Sequence, residues 1–133
     1  MILGIGTDLA NIDRIQRSLD QYGDRFRNRV FSKIEQQQAK AYKNEISTYA
    51  KRWAAKEACS KALGTGISKG VCWHDISVSN LESGRPIVTL TGGAKDRLDF
   101  ITPKGHTPKI HISLSDDHPW AQAFVIIESH YPN

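Results

Sequence analysis

One long helical segment constrains the fold of this chain more than any other feature of its sequence. The segment begins at Ser47 or Thr48, which are favourable N-cap residues, and runs to Leu63. Gly64 follows directly, at the position where helices commonly end. Because 39% of the 133 residues are hydrophobic and 24% are charged, the chain can bury a core around such a helix. The length predicts a single domain covering residues 1–133.

Shorter elements of both types flank this helix. Strands are predicted over residues 2–8, 71–79, 87–90, 109–115 and 120–128. Helices are predicted after a cap at Asn11 or Asp13, from the Ser32–Glu35 capping box towards Tyr42, and over 92–101. A short turn at 117–119 joins the last two strands into an antiparallel hairpin. Because strands and helices mix without regular β-α-β alternation, the sequence predicts an α+β fold.

The sequence argues against a membrane-spanning or secreted protein. Its longest apolar run, Ala123–Ile127, is far shorter than the roughly 20 residues that a membrane-spanning helix needs. No basic region precedes an apolar stretch at the N-terminus, so we expect no signal peptide. The two cysteines, Cys59 and Cys72, lack the spacing of a disulfide framework or a metal site. We therefore expect a cytoplasmic protein.

Positive charge is concentrated in residues 14–33. The whole chain has 18 Lys and Arg against 14 Asp and Glu, a formal net charge of +4. This segment alone has six basic and two acidic residues, and so carries the same net charge of +4. Such a concentration predicts an acidic partner, which could be nucleic acid, a phosphorylated ligand or an acidic protein. A solvated helix face accounts for the charges equally well.

Three residues of the long helix stand out because of their neighbours. Trp53, Glu57 and Lys61 repeat every four residues and so share one stripe, beside alanines. The simpler interpretation is a Glu-to-Lys pair at i, i+4, which adds only about 0.2–0.5 kcal/mol to a helix. The functional interpretation, which we favour slightly, is a carboxylate and an ammonium that face a cleft, where small neighbours let a ligand approach.

Asp8 supports the functional interpretation. It ends an apolar strand, where its simpler role would be to cap the next helix. However, one carboxylate on a strand and one on a helix also form the sparse oxygen set that holds Mg²⁺ together with substrate phosphates. Lys61, Arg52 and the turn at 64–66 would then supply cations and accessible backbone amides for a phosphate.

Two blocks of the sequence resemble the holo-[acyl-carrier-protein] synthases, the small 4′-phosphopantetheinyl transferases. The first block, residues 4–9, reads GIGTDL and continues to Arg14-Ile15. The second, residues 52–67, reads RWAAKEACSKALGTGI, and its Lys-Glu-Ala…Lys core is the specific part. Shorter matches extend the resemblance over nearly the whole chain, at 84–86, 111–116 and 123–128.

The resemblance implies the 4′-phosphopantetheinyl transferase fold, in which an antiparallel sheet packs against a long helix. It also implies a homotrimer with active sites at the subunit interfaces, for which Trp73 and the last strand are interface candidates. The implied reaction is the Mg²⁺-dependent transfer of 4′-phosphopantetheine from coenzyme A to a serine of apo-acyl carrier protein. Adenosine 3′,5′-bisphosphate is released, and the product serves fatty acid biosynthesis. The acceptor serine needs a base, either a carboxylate or a water on the metal.

The resemblance also assigns roles to individual residues. Asp8 and Glu57 match the family's metal ligands, and together with Lys61 they form the predicted catalytic set. The residues predicted to bind the nucleotide are Arg52, Gly64, Gly84, Arg85 and Pro86. The residues predicted to dock the acidic carrier protein are Arg14, Arg17, Arg25, Phe26 and Arg29. Some relatives have a histidine where this chain has Asp116, so we assign no histidine role there.

Two other functions compete with this hypothesis. A nucleic-acid-binding domain could use the same basic segment, although the sequence lacks a helix-turn-helix signature, an RNA-binding motif and an aromatic stacking platform. A phosphohydrolase could use the same metal site. The fate of coenzyme A separates the three functions, because only a transferase moves phosphopantetheine onto a carrier protein.

Overall fold

The computed structural model describes residues 1–132. Its strands are β1 (Ile2–Asn11), β2 (Ile76–Asn80), β3 (Pro86–Leu90), β4 (Thr107–Asp117) and β5 (Trp120–His130). Its helices are α1 (Ile12–Tyr22), α2 (Asp24–Val30), α3 (Lys33–Ala41), α4 (Glu45–Ala62) and α5 (Gly92–Ile101). This mixture of antiparallel strands and helices confirms the α+β prediction.

The strands form two antiparallel sheets. One sheet has the order β1-β5-β4, and the other is the β2-β3 hairpin. β4 and β5 pair over their whole length, which confirms the predicted hairpin of the last two strands. β1 pairs with β5 as far as Asn11, so Asp8 lies within the strand rather than at its end, as the sequence had suggested.

Helix α4 lies across one face of the three-stranded sheet and is central to the fold. Twelve of its 18 residues are buried, because β1, β4 and β5 cover one side and α1, α3 and β2 cover others. The contact with β1 depends on two glycines. A Cβ atom added at Gly4 would overlap the carbonyl oxygen of Ala62, and one added at Gly6 would overlap that of Ala58. Glycine on the strand and alanine on the helix therefore allow the two backbones to approach closely.

The predicted start of the long helix is wrong. α4 begins at Glu45 rather than at Ser47 or Thr48, because the Asn44 side chain accepts a hydrogen bond from the Ser47 backbone N–H and caps the helix. The Ser32–Glu35 capping box, in contrast, is confirmed at the start of α3.

The predicted strand over 71–79 is only partly present. Residues Trp73–Asp75 form a 3₁₀ turn, and the strand begins at Ile76. The Asp75 carboxylate accepts a hydrogen bond of 3.0 Å from the Cys72 backbone N–H, which closes the turn locally. The Trp73 ring lies 4.4 Å from the Trp53 ring, so tertiary packing favours the turn over an extended backbone.

The basic segment forms two helices. Gly23 has φ +54° and ends α1, and α2 then begins at Asp24. Asn11 provides the cap of α1 by accepting a hydrogen bond from the Arg14 backbone N–H. Asp8 is therefore not needed as a cap, which removes its simpler interpretation.

A buried ion pair joins α3 to α4. The Glu35 carboxylate and the Lys56 ammonium lie 2.7 Å apart, and both side chains are fully buried. Glu35 also accepts a hydrogen bond from the Val78 backbone N–H, and Lys56 donates to the carbonyls of Trp73 and Ile76. The pair therefore fixes the β2 strand against both helices.

The opposite face of the three-stranded sheet carries exposed apolar side chains among polar ones. Side chains alternate between the two faces of a strand, so odd-numbered residues of β1 from Ile5 onwards and even-numbered residues of β5 point away from α4. The large apolar residues exposed on this outer face are Ile5, Leu9, Trp120 and Phe124. Separately, no helix within residues 1–132 has both the length and the apolar composition to cross a membrane.

Candidate active site

Asp8 and Glu57 lie in one cavity although 48 positions of sequence separate them. The cavity has a volume of about 340 Å³ and lies where β1, α1, α2 and α4 meet. Asp8 reaches it from the face of β1 that packs on α4, and Glu57 reaches it from α4. The convergence on which the sequence hypothesis depends is therefore present in the fold.

Lys61 lies one helical turn beyond Glu57 and holds the Asp8 carboxylate. Its Nζ atom donates to Asp8 Oδ1 and to the Thr7 carbonyl oxygen, both at 3.1 Å. The Lys61 side chain is 51% exposed, so its charge remains accessible to an anionic ligand. The stripe of Trp53, Glu57 and Lys61 is thus a set of cavity and cavity-edge residues rather than a surface ion pair within one helix.

The electrostatics of the carboxylate pair favour a bound cation. Burial raises the pKa of Glu57 above its ordinary value, the negative charge of Asp8 raises it further, and Lys61 acts in the opposite direction. Two carboxylates are thus held close enough to repel each other in a partly dry cavity. A divalent cation between them would relieve this repulsion.

The donor set fits Mg²⁺ in particular. No cluster of three or more His, Cys, Asp or Glu side chains suited to a metal occurs within residues 1–132. Mg²⁺ is commonly held by one or two carboxylates, and the remaining positions are taken by substrate phosphates and water. Asp8 and Glu57 could supply the hard oxygen ligands of such a site.

A second cavity groups three of the five residues predicted to bind the nucleotide. It has a volume of about 390 Å³, and Arg52, Gly84 and Pro86 line it together with Lys51 and other residues. Arg52 is buried and donates a hydrogen bond to the Asn80 side chain, which itself donates to the Gly84 carbonyl. The β2-β3 turn is thereby joined to α4 at the cavity wall.

Arg52 retains unused hydrogen-bonding capacity. Its Nε atom is buried and has no hydrogen-bond partner among the described residues. Burial lowers the pKa of Arg52, and the nearby Glu35 opposes that shift. A buried cation with an unsatisfied donor indicates a site that binds an anion or another acceptor.

The structure does not bring the other two predicted nucleotide residues into this cavity. Arg85 lines a neighbouring groove between β3 and β4. Gly64, with φ +85°, follows the C-terminal end of α4 and lies beside the Arg97 side chain. Gly64 lies three residues after Lys61 and lines neither cavity.

The predicted docking residues cluster beside the carboxylate cavity. Arg25, Phe26 and Arg29 line a shallow depression on α2, together with residues of α1. Phe26 also lines the carboxylate cavity, as does Arg14. Arg17 is exposed on α1 and lines neither depression. A partner seated on α2 would therefore lie directly beside Asp8 and Glu57.

Several site residues were not identified from the sequence. Asn80 fixes Arg52, and Lys51 lies in the same cavity and pairs with Asp116. A polar residue at a strand end gives no signal that identifies its distant partner.

Cys59 is fully buried, and burial raises its pKa to about 12, which argues against a role as a nucleophile.

Comparison with known proteins identifies the family of this chain. The family model described as the 4′-phosphopantetheinyl transferase superfamily matches residues 4–123. A holo-[acyl-carrier-protein] synthase from Roseobacter denitrificans is 65% identical over 129 residues, which cover 97% of this chain and 96% of that protein. The chain belongs to this superfamily. The family prediction from the two sequence blocks is therefore confirmed.

Solved structures of superfamily members share the fold. The crystal structure of the holo-[acyl-carrier-protein] synthase from Neisseria meningitidis is 32% identical, covers 96% of this chain and 99% of its own, and has a TM-score of 0.83. The Bacillus anthracis synthase, solved in complex with coenzyme A (3′,5′-ADP), is 36% identical with a TM-score of 0.77, and the match covers 98% and 99% of the two chains. The α+β transferase fold is thus shown for this chain.

Proposed function

We propose that this superfamily member transfers 4′-phosphopantetheine from coenzyme A to a serine of an apo-acyl carrier protein. The observation that carries the proposal is the shared cavity of Asp8 and Glu57, with Lys61 bound to Asp8. This arrangement suits the pyrophosphate of coenzyme A, which needs a divalent cation and a positive side chain. The Roseobacter denitrificans synthase and the ligand of the Bacillus anthracis structure support the same substrates.

The reaction exchanges a phosphoanhydride bond for a phosphodiester bond. The serine oxygen of the carrier protein forms a bond to the phosphorus next to pantetheine, and the bond from that phosphorus to the bridging pyrophosphate oxygen breaks. The serine proton passes to a base, either a carboxylate or a water, and adenosine 3′,5′-bisphosphate leaves. Mg²⁺ held by Asp8 and Glu57 would stabilise the negative charge on the phosphates.

Lys61 has the clearest role among the side chains. Its ammonium is held at the edge of the cavity by Asp8 and by the Thr7 carbonyl, so it is positioned before substrate binds. From there it can neutralise the departing phosphate and donate a proton to it. The exposed position of Lys61 lets the ammonium change partners as charge develops.

We further propose that each complete active site is assembled from two copies of the chain. Arg52 and Glu57 are five residues apart on α4, which places them about 140° apart around the helix axis. The two cavities accordingly share no lining residue. Because the pyrophosphate of coenzyme A is bonded directly to its adenosine, the Arg52 cavity that holds the nucleotide would come from a neighbouring copy, with Gly84 and Pro86.

The outer face of the three-stranded sheet supports a homotrimer as that assembly. Ile5, Leu9, Trp120 and Phe124 are each between 42% and 58% exposed in the single chain. Large apolar side chains exposed on one sheet face are typical of an interface between subunits. Trp73, also an interface candidate, is partly buried and packs on Trp53 within the chain.

The acidic carrier protein would dock on α1 and α2. Arg25 and Arg29 surround Phe26, which supplies an apolar anchor. The docked serine would reach the carboxylates past Phe26 and Arg14, the two docking residues that also line their cavity. We propose that the whole chain, residues 1–133, is one transferase domain and that its product serves fatty acid biosynthesis. A cytoplasmic location remains a prediction.

A single assay tests the proposed function. Purified protein is incubated with Mg²⁺, coenzyme A and apo-acyl carrier protein, and the carrier is weighed by mass spectrometry. We expect the carrier to gain one phosphopantetheine group. Release of free phosphopantetheine without carrier modification would indicate a hydrolase. Unchanged coenzyme A, with an active relative as the positive control, would contradict any transferase function.

A further inference from the structure

An ion pair lies at the edge of the Arg52 cavity, outside the residues assigned above. Lys51 Nζ and Asp116 Oδ1 are 3.1 Å apart, and the two side chains are 28% and 35% exposed. Lys51 lines the cavity from α4. Asp116 lies near the end of β4, two residues after Leu114, which also lines the cavity. Ile112, Leu114 and Asp116 share the strand face that is turned towards α4.

The lining of the cavity is cationic. Lys51 and Arg52 supply two positive charges, and no acidic residue is among the described residues that line it. Thr48 and Tyr42 add hydroxyl groups, and Asn80 adds an amide. This chemistry fits a phosphate-bearing nucleotide, in agreement with the proposed function on which this inference rests.

The carboxylate of Asp116 pairs with the Lys51 ammonium, which such a ligand would also bind. The pair is partly exposed to solvent, and exposed pairs are weak because water screens them and because two long side chains must be held in place. A phosphate carries more charge than a carboxylate and can displace it from Lys51. Asp116 would then remain beside the bound anion as a like charge.

We infer that Asp116 limits the affinity of the cavity for phosphate-bearing nucleotides by competing with the ligand for Lys51. Asp116 thus sets how tightly the cavity binds the nucleotide part of the substrate. The same competition weakens the binding of adenosine 3′,5′-bisphosphate, the product of the proposed reaction. Weaker binding of this product favours its release.

The test is the dissociation constant of adenosine 3′,5′-bisphosphate, measured by isothermal titration calorimetry for four proteins. These are the unmodified chain, Asp116→Asn, Lys51→Met and the double variant. We expect Asp116→Asn to bind about two- to fivefold more tightly, because the ligand no longer has to break a partly exposed ion pair. Lys51→Met should bind more weakly. When Lys51→Met is already present, Asp116→Asn should gain at most about twofold, because there is no ammonium left to release.

Asp117→Asn is the matched control. It removes the same charge from the next residue of β4, which points to the opposite face of the sheet. We expect it to change the dissociation constant by less than about twofold. Thermal unfolding of each variant verifies that the fold is intact.

Three outcomes would overturn the inference. Weaker binding by Asp116→Asn would mean that Asp116 positions Lys51 for the ligand instead of competing with it. An equal gain from Asp116→Asn with and without the Lys51→Met substitution would mean that the effect is general repulsion. An unmodified chain that does not bind the nucleotide, even as an assembled oligomer, would overturn both this inference and the proposed role of the cavity. In the first two cases the proposed function stands.

Discussion

At the scale of single residues, the candidate site depends on how three charged side chains share one cavity. Lys61 holds Asp8 through an ion pair, and Glu57 carries a raised pKa because it is buried beside Asp8. A neutral amide at position 57 would retain the shape of the side chain but would remove the charge that binds a cation. The charge of Glu57, rather than its packing, is therefore the property to test.

We expect Glu57→Gln to reduce carrier modification by about 100-fold or more, the size typical for the loss of one preorganised charge at a reacting phosphate. The measurement is the initial rate at saturating coenzyme A, over a range of Mg²⁺ concentrations. Excess Mg²⁺ should not restore the rate, because the variant lacks a ligand rather than the metal. Full activity without a requirement for Mg²⁺ would refute the role of Glu57.

A second prediction at this scale concerns the docking surface. Arg14 lines the carboxylate cavity, so its substitution would affect both docking and chemistry, whereas Arg29 lines only the depression on α2. We expect Arg29→Glu to raise the KM for carrier protein about tenfold and to leave nucleotide affinity unchanged. Lys104→Glu, with the same charge change in the exposed loop after α5, is the control. Equal effects of both variants would argue against docking on α2.

At the scale of secondary-structure elements, the position of Asp8 relative to Glu57 depends on the close contact between β1 and α4. Gly4 and Gly6 meet the backbone of α4 directly, at Ala62 and Ala58. Neither backbone carbonyl can move aside as a flexible side chain would. The contact therefore sets the distance between strand and helix, and with it the relative positions of the two carboxylates.

We expect Gly6→Ala to lower the free energy of unfolding by about 1–3 kcal/mol, or more if the helix cannot shift. Urea denaturation monitored by circular dichroism measures this loss. The variant should also lose activity at temperatures where it is still folded, because β1 and α4 must separate. A stability equal to that of the unmodified chain would show that the two backbones are not in close contact.

The buried ion pair of Glu35 and Lys56 connects α3 to α4, and its hydrogen bonds hold β2 against both helices. Burial lowers the pKa of Lys56, and Glu35 opposes that shift. Removing one partner leaves the other charge buried and unpaired, which costs about 3–5 kcal/mol. We expect Lys56→Met and Glu35→Gln each to be destabilised to this extent, and the double variant to be destabilised by much less than their sum. Additive losses in urea denaturation would contradict a direct pair.

At the scale of the whole molecule, a single chain holds apart the two sites that one molecule of coenzyme A would have to contact together. The carboxylates and the Arg52 cavity lie on different sides of α4, and the outer face of the three-stranded sheet exposes large apolar side chains. In the trimer that we propose, each carboxylate pair would lie beside the Arg52 cavity of a neighbour. Oligomerisation would then be a condition for catalysis and not only for stability.

Mixing two inactive variants tests this arrangement. Glu57→Gln and Arg52→Met are each expected to be inactive as homotrimers. When they are refolded together in equal amounts, about a quarter of the interfaces should combine an intact carboxylate pair with an intact Arg52, and activity should return in that proportion. Each variant refolded alone is the control. A mixture as inactive as its components would show that one chain supplies the whole site.

Much of the local structure could be predicted from the sequence because local structure has local causes. The capping box at Ser32–Glu35 and the turn between the last two strands each depend on residues a few positions apart. The 3₁₀ turn at Trp73–Asp75 was missed because a distant residue, Trp53, packs on it. The start of α4 was missed because Asn44 caps it ahead of two other acceptable caps.

The family, the α+β class and the identities of Asp8, Glu57 and Lys61 follow from the sequence alone, because residue types at fixed spacing are visible in one dimension. Which of these residues meet depends on the folded chain. Folding joined Asp8 to Lys61, excluded Arg52 and Gly84 from that cavity, and paired Lys51 with Asp116. These contacts depend on how closely β1 and α4 approach and on which face of each element is turned inwards, and both follow from packing of the whole chain.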